Sequence, residues 1–327
     1  MSEPEAWRPS ASLETIRARA ELLAGIREFF RQAGVMEVET PVCSHFGVTD
    51  PAIESFTTRY LGPGAPQTQK LYLHTSPEFP MKRLLAAGAG PIYQICKVFR
   101  GGELGSKHNP EFTLLEWYRP GFDYHQLMDE VAELVNTLLP QKLEVQKLTY
   151  DELFQQHLHI DPHSTTLEQL RQCALDVPIP GAAELDLSNT DAWLNLLLTH
   201  VIEPYLGPGL LTFVYDYPAS QAALARIKGS TPPVAERFEL YIEGVEIANG
   251  FHELTDAKEQ RNRFELENVT RIEQGYPEIP MDQHLLAALN AGFPECAGVA
   301  LGVDRLLMCI TDKNSISDVL SFSFLKA

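Results

Sequence analysis

The residues best suited to chemistry fall in one stretch, Phe99-Arg100-Gly101-Gly102-Glu103-Leu104-Gly105-Ser106-Lys107-His108-Asn109-Pro110-Glu111-Phe112-Thr113-Leu114-Leu115-Glu116-Trp117-Tyr118. Its pattern predicts a strand, a polar Gly-rich loop and a second strand. By the period of two, Ile92, Gln94, Cys96, Val98 and Arg100 share one face, as do Phe112, Leu114, Glu116 and Tyr118. A hairpin would therefore set a guanidinium, an aromatic ring, a carboxylate and a phenol along one surface. The planar fork of Arg100 suits a carboxylate or a phosphate, and Phe112 offers an apolar plate for a flat base. That combination suits a nucleotide and an acid. Taken alone, the stretch also fits an exposed hairpin with solvated charges.

A second rich stretch runs from Arg237 to Leu254. If Glu243-Gly244 forms a two-residue turn, Glu239 and Glu246 are diagonal neighbours on one side, while Phe238, Leu240 and Ile247 turn to the core. Two carboxylates held that close repel unless a cation sits between them. Magnesium with a bound triphosphate supplies one, because this metal takes few carboxylates and completes its shell with phosphate oxygens and water. Asn249, Phe251 and Glu253 have the opposite parity, so a bulge at or near Gly250 is needed to bring them to the same side. A solvated edge hairpin is the alternative. A third stretch, Gly298-Val299-Ala300-Leu301-Gly302-Val303-Asp304-Arg305-Leu306-Leu307, reads as a glycine-containing strand feeding a helix. There the backbone can approach a ligand closely, and Arg305 stands at the junction.

The elements that must position these residues follow from periodicity and punctuation. Ser12 is expected to cap a helix running to Gln32, with Leu13, Ile16, Leu23, Ile26 and Phe30 near helical spacing and Gly34 as its stop. Residues 35–41 read as a strand ended by Pro41, and residues 53–60 and 71–74 as two strands joined by a loop containing residues 62–66. Thr75 or Ser76 caps the next helix, with Pro77 near its first position and Glu78 in its first turn. Residues 123–139 form an amphipathic helix that buries Leu127, Met128, Val131, Leu134, Val135 and Leu138. Residues 141–210 are expected to be a helical insertion, with helices near 167–175 and 190–202, before a strand resumes at Leu211.

At 327 residues the chain can bury a full core, and its 44% hydrophobic and 21% charged residues are those of an ordinary globular protein. No apolar run approaches a membrane span, and Met1-Ser2-Glu3-Pro4-Glu5 lacks the basic and apolar parts of a signal peptide, so a cytoplasmic protein is expected. Cys43, Cys96, Cys173, Cys296 and Cys309 are widely spaced without a CxxC pair, which predicts core thiols and neither disulfides nor a zinc site. A net charge of −18 argues against sequence-independent binding to a nucleic-acid backbone, though a local basic patch is compatible with it.

The three stretches resemble, in order, the signature motifs of class II aminoacyl-tRNA synthetases. Residues 12–40 resemble the first motif, Phe99 to Tyr118 with its His-Asn-Pro-Glu-Phe the second, and Gly-x-Asp-Arg-Leu at 302–306 the third. The match is to the lysyl branch, whose short forms are the elongation factor P lysine lysyltransferases. The resemblance implies an α+β fold: a single catalytic domain over 1–327, its antiparallel sheet flanked by helices, working as a homodimer through the first motif. It implies ATP and Mg2+ as cofactors, with Arg100 and Arg305 as catalytic arginines. ATP would be held by Arg100, Gly101, Gly102, Glu103, His108, Asn109, Phe112, Glu246, Ile247, Gly302 and Arg305, and the metal by Glu239 and Glu246. Lysine or (R)-β-lysine would be held by Ser76, Pro77, Glu78, Glu116, Tyr118, Asn249, Glu253 and Ala300. The expected acceptor is elongation factor P, without tRNA anticodon recognition, because the first motif begins near Ser12 and an OB-fold reader ahead of it needs on the order of a hundred residues.

Two departures stand out. The lysyl pattern has Arg-Asn-Glu where this chain has Arg100-Gly101-Gly102, and it keeps glycine where this chain has Ala300. Competing readings are a free-standing lysine-activating ligase with another acceptor and a catalytically silent paralogue. Arg100, Glu239, Glu246 and Arg305 argue against silence, since a binding module needs no such set of phosphate arginines and metal carboxylates.

Overall fold

Ser12 opens the first helix as its position suggests: its side chain accepts the Thr15 N–H, and α1 runs over Leu13–Gln32. The computed structural model describes residues 7–64 and 70–327. It divides into two compact units, one of residues up to Gly121 with Thr255–Cys296 and Ala300–Ala327, the other of Phe122–Leu254 with Ala297–Val299. Gly34, at φ 67°, turns the chain after α1 at low cost because it carries no Cβ. The strand expected over 35–41 shrinks to β1 (Met36–Glu37). Next comes a small sheet of β2 (Cys43–Ser44), β3 (Thr57–Arg59) and β4 (Lys70–Leu73), in the order β2-β4-β3. Of the expected loop, Ala65 and Pro66 lie outside the described residues. In α2 (Glu78–Ala86) the cap residue is Pro77, but the Ser76 hydroxyl one residue earlier accepts the Glu78 N–H at 3.0 Å. β5 (Ile92–Phe99) and β6 (Glu111–Pro120) then pair antiparallel, and β1 pairs parallel with β5. The register sets Ile92 opposite Tyr118, Gln94 opposite Glu116 and Val98 opposite Phe112, so the two expected faces coincide. Phe30 of α1 stacks on Tyr93 of β5 with centroids 4.4 Å apart.

The second unit opens with α3 (Tyr124–Leu138), held by a full capping box between Asp123 and Gln126. The stretch expected to be a helical insertion begins instead with a strand, β7 (Glu144–Thr149). It then carries α4 (Tyr150–Leu158), α5 (Leu167–Asp176) and α6 (Thr190–Leu197), the last prolonged by a wider turn over Leu198–Ile202. The two expected helices are present. The missed strand has weak alternation and finds its partner far along the chain, in β8 (Leu210–Pro218), with which it runs parallel. Tyr150, Phe154, Trp193 and Leu197 from this stretch pack in one core with Tyr217 and Tyr241, so it is a wall of this unit. β9 (Ile227–Lys228), β10 (Val234–Ile242) and β11 (Val245–His252) complete the unit, with strands ordered β11-β10-β8-β7 and β9 against β10.

The chain returns to the first unit through α7 (Ala257–Glu273) and α8 (Gln283–Gly292), each capped by an aspartate, Asp256 and Asp282. β12 (Cys296–Gly302) then feeds α9 (Val303–Ile310), as the glycine-containing stretch predicts. Asp304, 1% exposed, accepts the Thr113 N–H of β6 at 2.6 Å and is ion-paired with Arg19 of α1. This carboxylate therefore ties together segments from all three motifs. Cys43 is exposed, against the expectation of a core thiol, whereas Cys296 is buried. No helix among the described residues is long and apolar enough to cross a membrane.

Candidate active site

The first unit gathers one cluster along β5, β6 and α2. Arg100 leaves β5 with its Nε donating to the Thr75 carbonyl at 3.3 Å and its guanidinium 5.2 Å from the Phe112 ring centre. The expected guanidinium and aromatic plate thus lie together. Glu116, 2% exposed, accepts from the Ser76 hydroxyl at 2.6 Å and the Tyr118 hydroxyl at 2.7 Å. Burial and the Glu116 charge push the neighbouring Cys96 thiol up to about 12. Glu78, in the first turn of α2, is paired with the buried Lys82 at 2.6 Å. Lys82 is a residue that the sequence reading missed, although its spacing of four from Glu78 was a usable signal. A cavity of about 250 Å³ opens beside Ser76 and Glu78, walled by Phe46, Val48, Leu73 and Phe79.

The loop between β5 and β6 explains the departure at Gly101-Gly102. The Gly101 N–H bonds the Glu54 carbonyl at 2.7 Å, and a Cβ there would press on the Glu54 side chain at 3.0 Å. Gly102 sits at φ 76°, where any other residue is strained. Glu103 comes within 3.8 Å of Arg100. His108 Nε2 accepts from the Arg305 guanidinium at 2.7 Å, while Arg305 Nε reaches the Lys107 carbonyl at 3.4 Å. Burial first, and the Arg305 charge second, lower the His108 pKa, which keeps the ring neutral and able to accept. Asn109, expected to steady a nucleotide, has both ends of its amide in use, donating to the Glu111 carbonyl at 2.6 Å and accepting the Phe324 N–H at 3.0 Å. A nucleotide contact would use the second amide hydrogen or the second oxygen lone pair. Ala300 and Gly302 lie on β12, both partly exposed.

The second unit gathers another cluster on the β10–β11 hairpin. Its turn places Glu243 and Gly244 at φ 49° and 67°, the left-handed pair of a type I′ hairpin. The bulge lies at Ile247 and not at Gly250: Tyr241 opposes Glu246, whereas Leu240 opposes Ala248. This extra residue reverses the parity, so Asn249 stands opposite Glu239 and Phe251 opposite Arg237, while Glu246 keeps the Glu239 side. Gly250 serves packing instead. A Cβ there would strike the Phe238 ring and come within 3.0 Å of Val299. Ile247, expected near the nucleotide, buries its side chain to 2% exposure.

Glu239 is clasped on both oxygens. Oε1 accepts from Arg237 at 2.5 Å and Asn249 at 3.4 Å, and Oε2 accepts from Tyr217 at 2.7 Å and Tyr241 at 2.5 Å. The Arg237 guanidinium also lies 4.5 Å from the Tyr217 ring centre. Burial and then the Glu239 and Glu246 charges lift the Glu203 carboxyl to about 7, so three carboxylates feel one another here. Among the described residues no three His, Cys, Asp or Glu side chains form a ready metal cage. A metal arriving with a triphosphate needs few carboxylates, and this acidic donor set fits one. To take a metal directly, Glu239 would have to give up one of these bonds. Glu253, 1% exposed, follows at the end of the hairpin.

Comparison with known proteins bears on what these clusters do. The family model described as tRNA synthetases class II (D, K and N) matches residues 6–326. Proteins of Salmonella paratyphi B and Salmonella typhimurium, each named elongation factor P–(R)-beta-lysine ligase, are both 50% identical over 323 residues, covering 99% of this chain and 99% of each relative. With a family match over nearly its whole length and relatives this similar from end to end, the chain belongs to the class II tRNA synthetases of the D, K and N group.

Proposed function

We propose that this protein activates lysine, with (R)-β-lysine as the favoured isomer, as an aminoacyl-adenylate using ATP, and transfers it to a lysine side chain of elongation factor P. The observation that carries the reading is the Ser76-Glu116-Tyr118 clasp with Glu78 beside it, acidic acceptors matched to a dicationic amino acid. The full-length likeness to ligases of that name supports the acceptor.

In the first step a substrate carboxylate oxygen bonds the α-phosphorus of ATP and pyrophosphate leaves. The carboxyl group, with an ordinary pKa of about 3.5, is already ionised, so no general base is needed. What the step needs is charge neutralisation by preorganised groups. Arg100, propped by the Thr75 carbonyl and Phe112, is assigned to the carboxylate and α-phosphate. Arg305, held by His108, is assigned to the γ-phosphate, and Phe112 to the adenine face. Bound magnesium would neutralise phosphate charge through Glu246. Glu78, Glu116 and Tyr118 are assigned to the ammonium groups. In the second step the acceptor amine attacks the adenylate carbonyl carbon, the bond to AMP breaks, and the amine proton passes to a phosphate oxygen. Only roughly one lysine in two thousand is neutral near pH 7, so acceptor deprotonation must be assisted.

Lysine-dependent pyrophosphate exchange, followed by mass spectrometry of elongation factor P incubated with enzyme, ATP and each isomer, tests this reading. Exchange without transfer would point to another acceptor. Ala300 should tune isomer choice, since one methyl group in a packed wall is worth about 1–3 kcal/mol between competing substrates. Ala300→Gly is expected to raise kcat/KM for L-α-lysine relative to (R)-β-lysine, and an unchanged ratio would remove Ala300 from the specificity wall. The protein is also assigned as a homodimer through α1 and β1, where Leu13 and Met36 are 65% and 50% exposed. Light scattering should return twice the chain mass at micromolar concentration, and a monomer mass would refute this.

A further inference from the structure

Lys82 is among the largest fully buried side chains of the protein, at 2% exposure, and lysine is almost never buried without a partner. Its ammonium lies 2.6 Å from Glu78 Oε1, one turn earlier on α2. Glutamate four residues before lysine is the favourable order on a helix, and the helix N-terminus further favours the Glu78 charge. Glu116 shares the Ser76 hydroxyl with the Glu78 backbone, which joins the two carboxylates in one hydrogen-bonded set.

We infer that Lys82 is a positioning residue for the amino-acid subsite: it anchors Glu78 through Oε1, so that Oε2 is presented to a substrate ammonium. The inference rests on the reading of Glu78 as a lysine contact. It runs against the first intuition that a buried ammonium beside the subsite should repel a cationic substrate. The carboxylate lies between the two cations, and its fixed direction is what the substrate gains.

Lysine-dependent pyrophosphate exchange by the full-length protein gives the test. Lys82→Met is expected to raise KM for lysine about tenfold or more while leaving KM for ATP within about twofold, as loss of one ligand's binding contact should. Glu78→Gln should show the same pattern. Because the two residues act as one unit, Glu78→Gln/Lys82→Met should be no worse than Glu78→Gln alone. The double variant removes both charges of the pair together, so it reports even if Lys82→Met fails to fold. An unchanged KM for lysine in Lys82→Met, or losses that multiply in the double variant, would overturn the assignment alone. A wild-type protein that exchanges no pyrophosphate with lysine would overturn the functional reading and this assignment with it.

Discussion

Arg305→Ala is expected to lower adenylate formation by about a thousandfold while leaving the fold intact. Arg305 stands at the start of α9 with its guanidinium already held by His108 Nε2 and the Lys107 carbonyl, so it need not reorganise when charge develops on the phosphates. Removing one preorganised donor of this kind typically costs about 10²–10³ in rate, and phosphoryl chemistry depends on such groups more than on covalent ones. The side chain is only partly buried, and its contacts with His108 and the Lys107 carbonyl lie in the loop between β5 and β6, so its loss should not open the core. Glu246→Ala should fall by a similar factor, through lost metal binding, and excess magnesium should not restore it. Pyrophosphate exchange measured at saturating ATP and lysine decides the matter. Near-normal exchange in either variant would remove that residue from the chemistry.

Asp304→Ala should be the most destabilising single change among these residues, by about 3–5 kcal/mol, because it leaves a largely buried guanidinium without its carboxylate. Asp304 is 1% exposed, and the Arg19 side chain is 15% exposed. Arg19 would keep its bonds to the Val319 carbonyl, at 2.9 and 3.2 Å, but these do not neutralise its charge. The Thr113 N–H on β6 would also lose its acceptor. Chemical denaturation of purified wild type and variant, with the variant's midpoint expected far lower, measures the effect. Arg19→Met/Asp304→Leu should recover part of the loss, since replacing both buried charges removes the unpaired one. A loss below about 1 kcal/mol in the single variant would mean that water reaches Arg19 freely.

Much of this protein could be read from the order of its residues, wherever the rule involved was local. Alternation put Gln94 and Val98 on one face of their strand and Phe112 and Glu116 on one face of theirs, and the structure supplied the register that pairs them. Ser12 capped its helix as its type dictates, through a hydrogen bond reaching three residues, and Glu243-Gly244 took the left-handed pair of a tight turn. Partners distant in sequence were decided by tertiary structure. β7 finds its pairing in β8, more than sixty residues on, and the bulge lies at Ile247 while Gly250 packs against Phe238. Glu239 was legible as an acidic residue on the correct face, but not as a carboxylate clasped by Arg237, Tyr217, Tyr241 and Asn249. Asp304 against Arg19 and Asn109 against Phe324 join segments hundreds of residues apart. Periodicity carries which face a side chain takes; which charge, donor or ring meets it there depends on packing, and packing is a property of the whole chain.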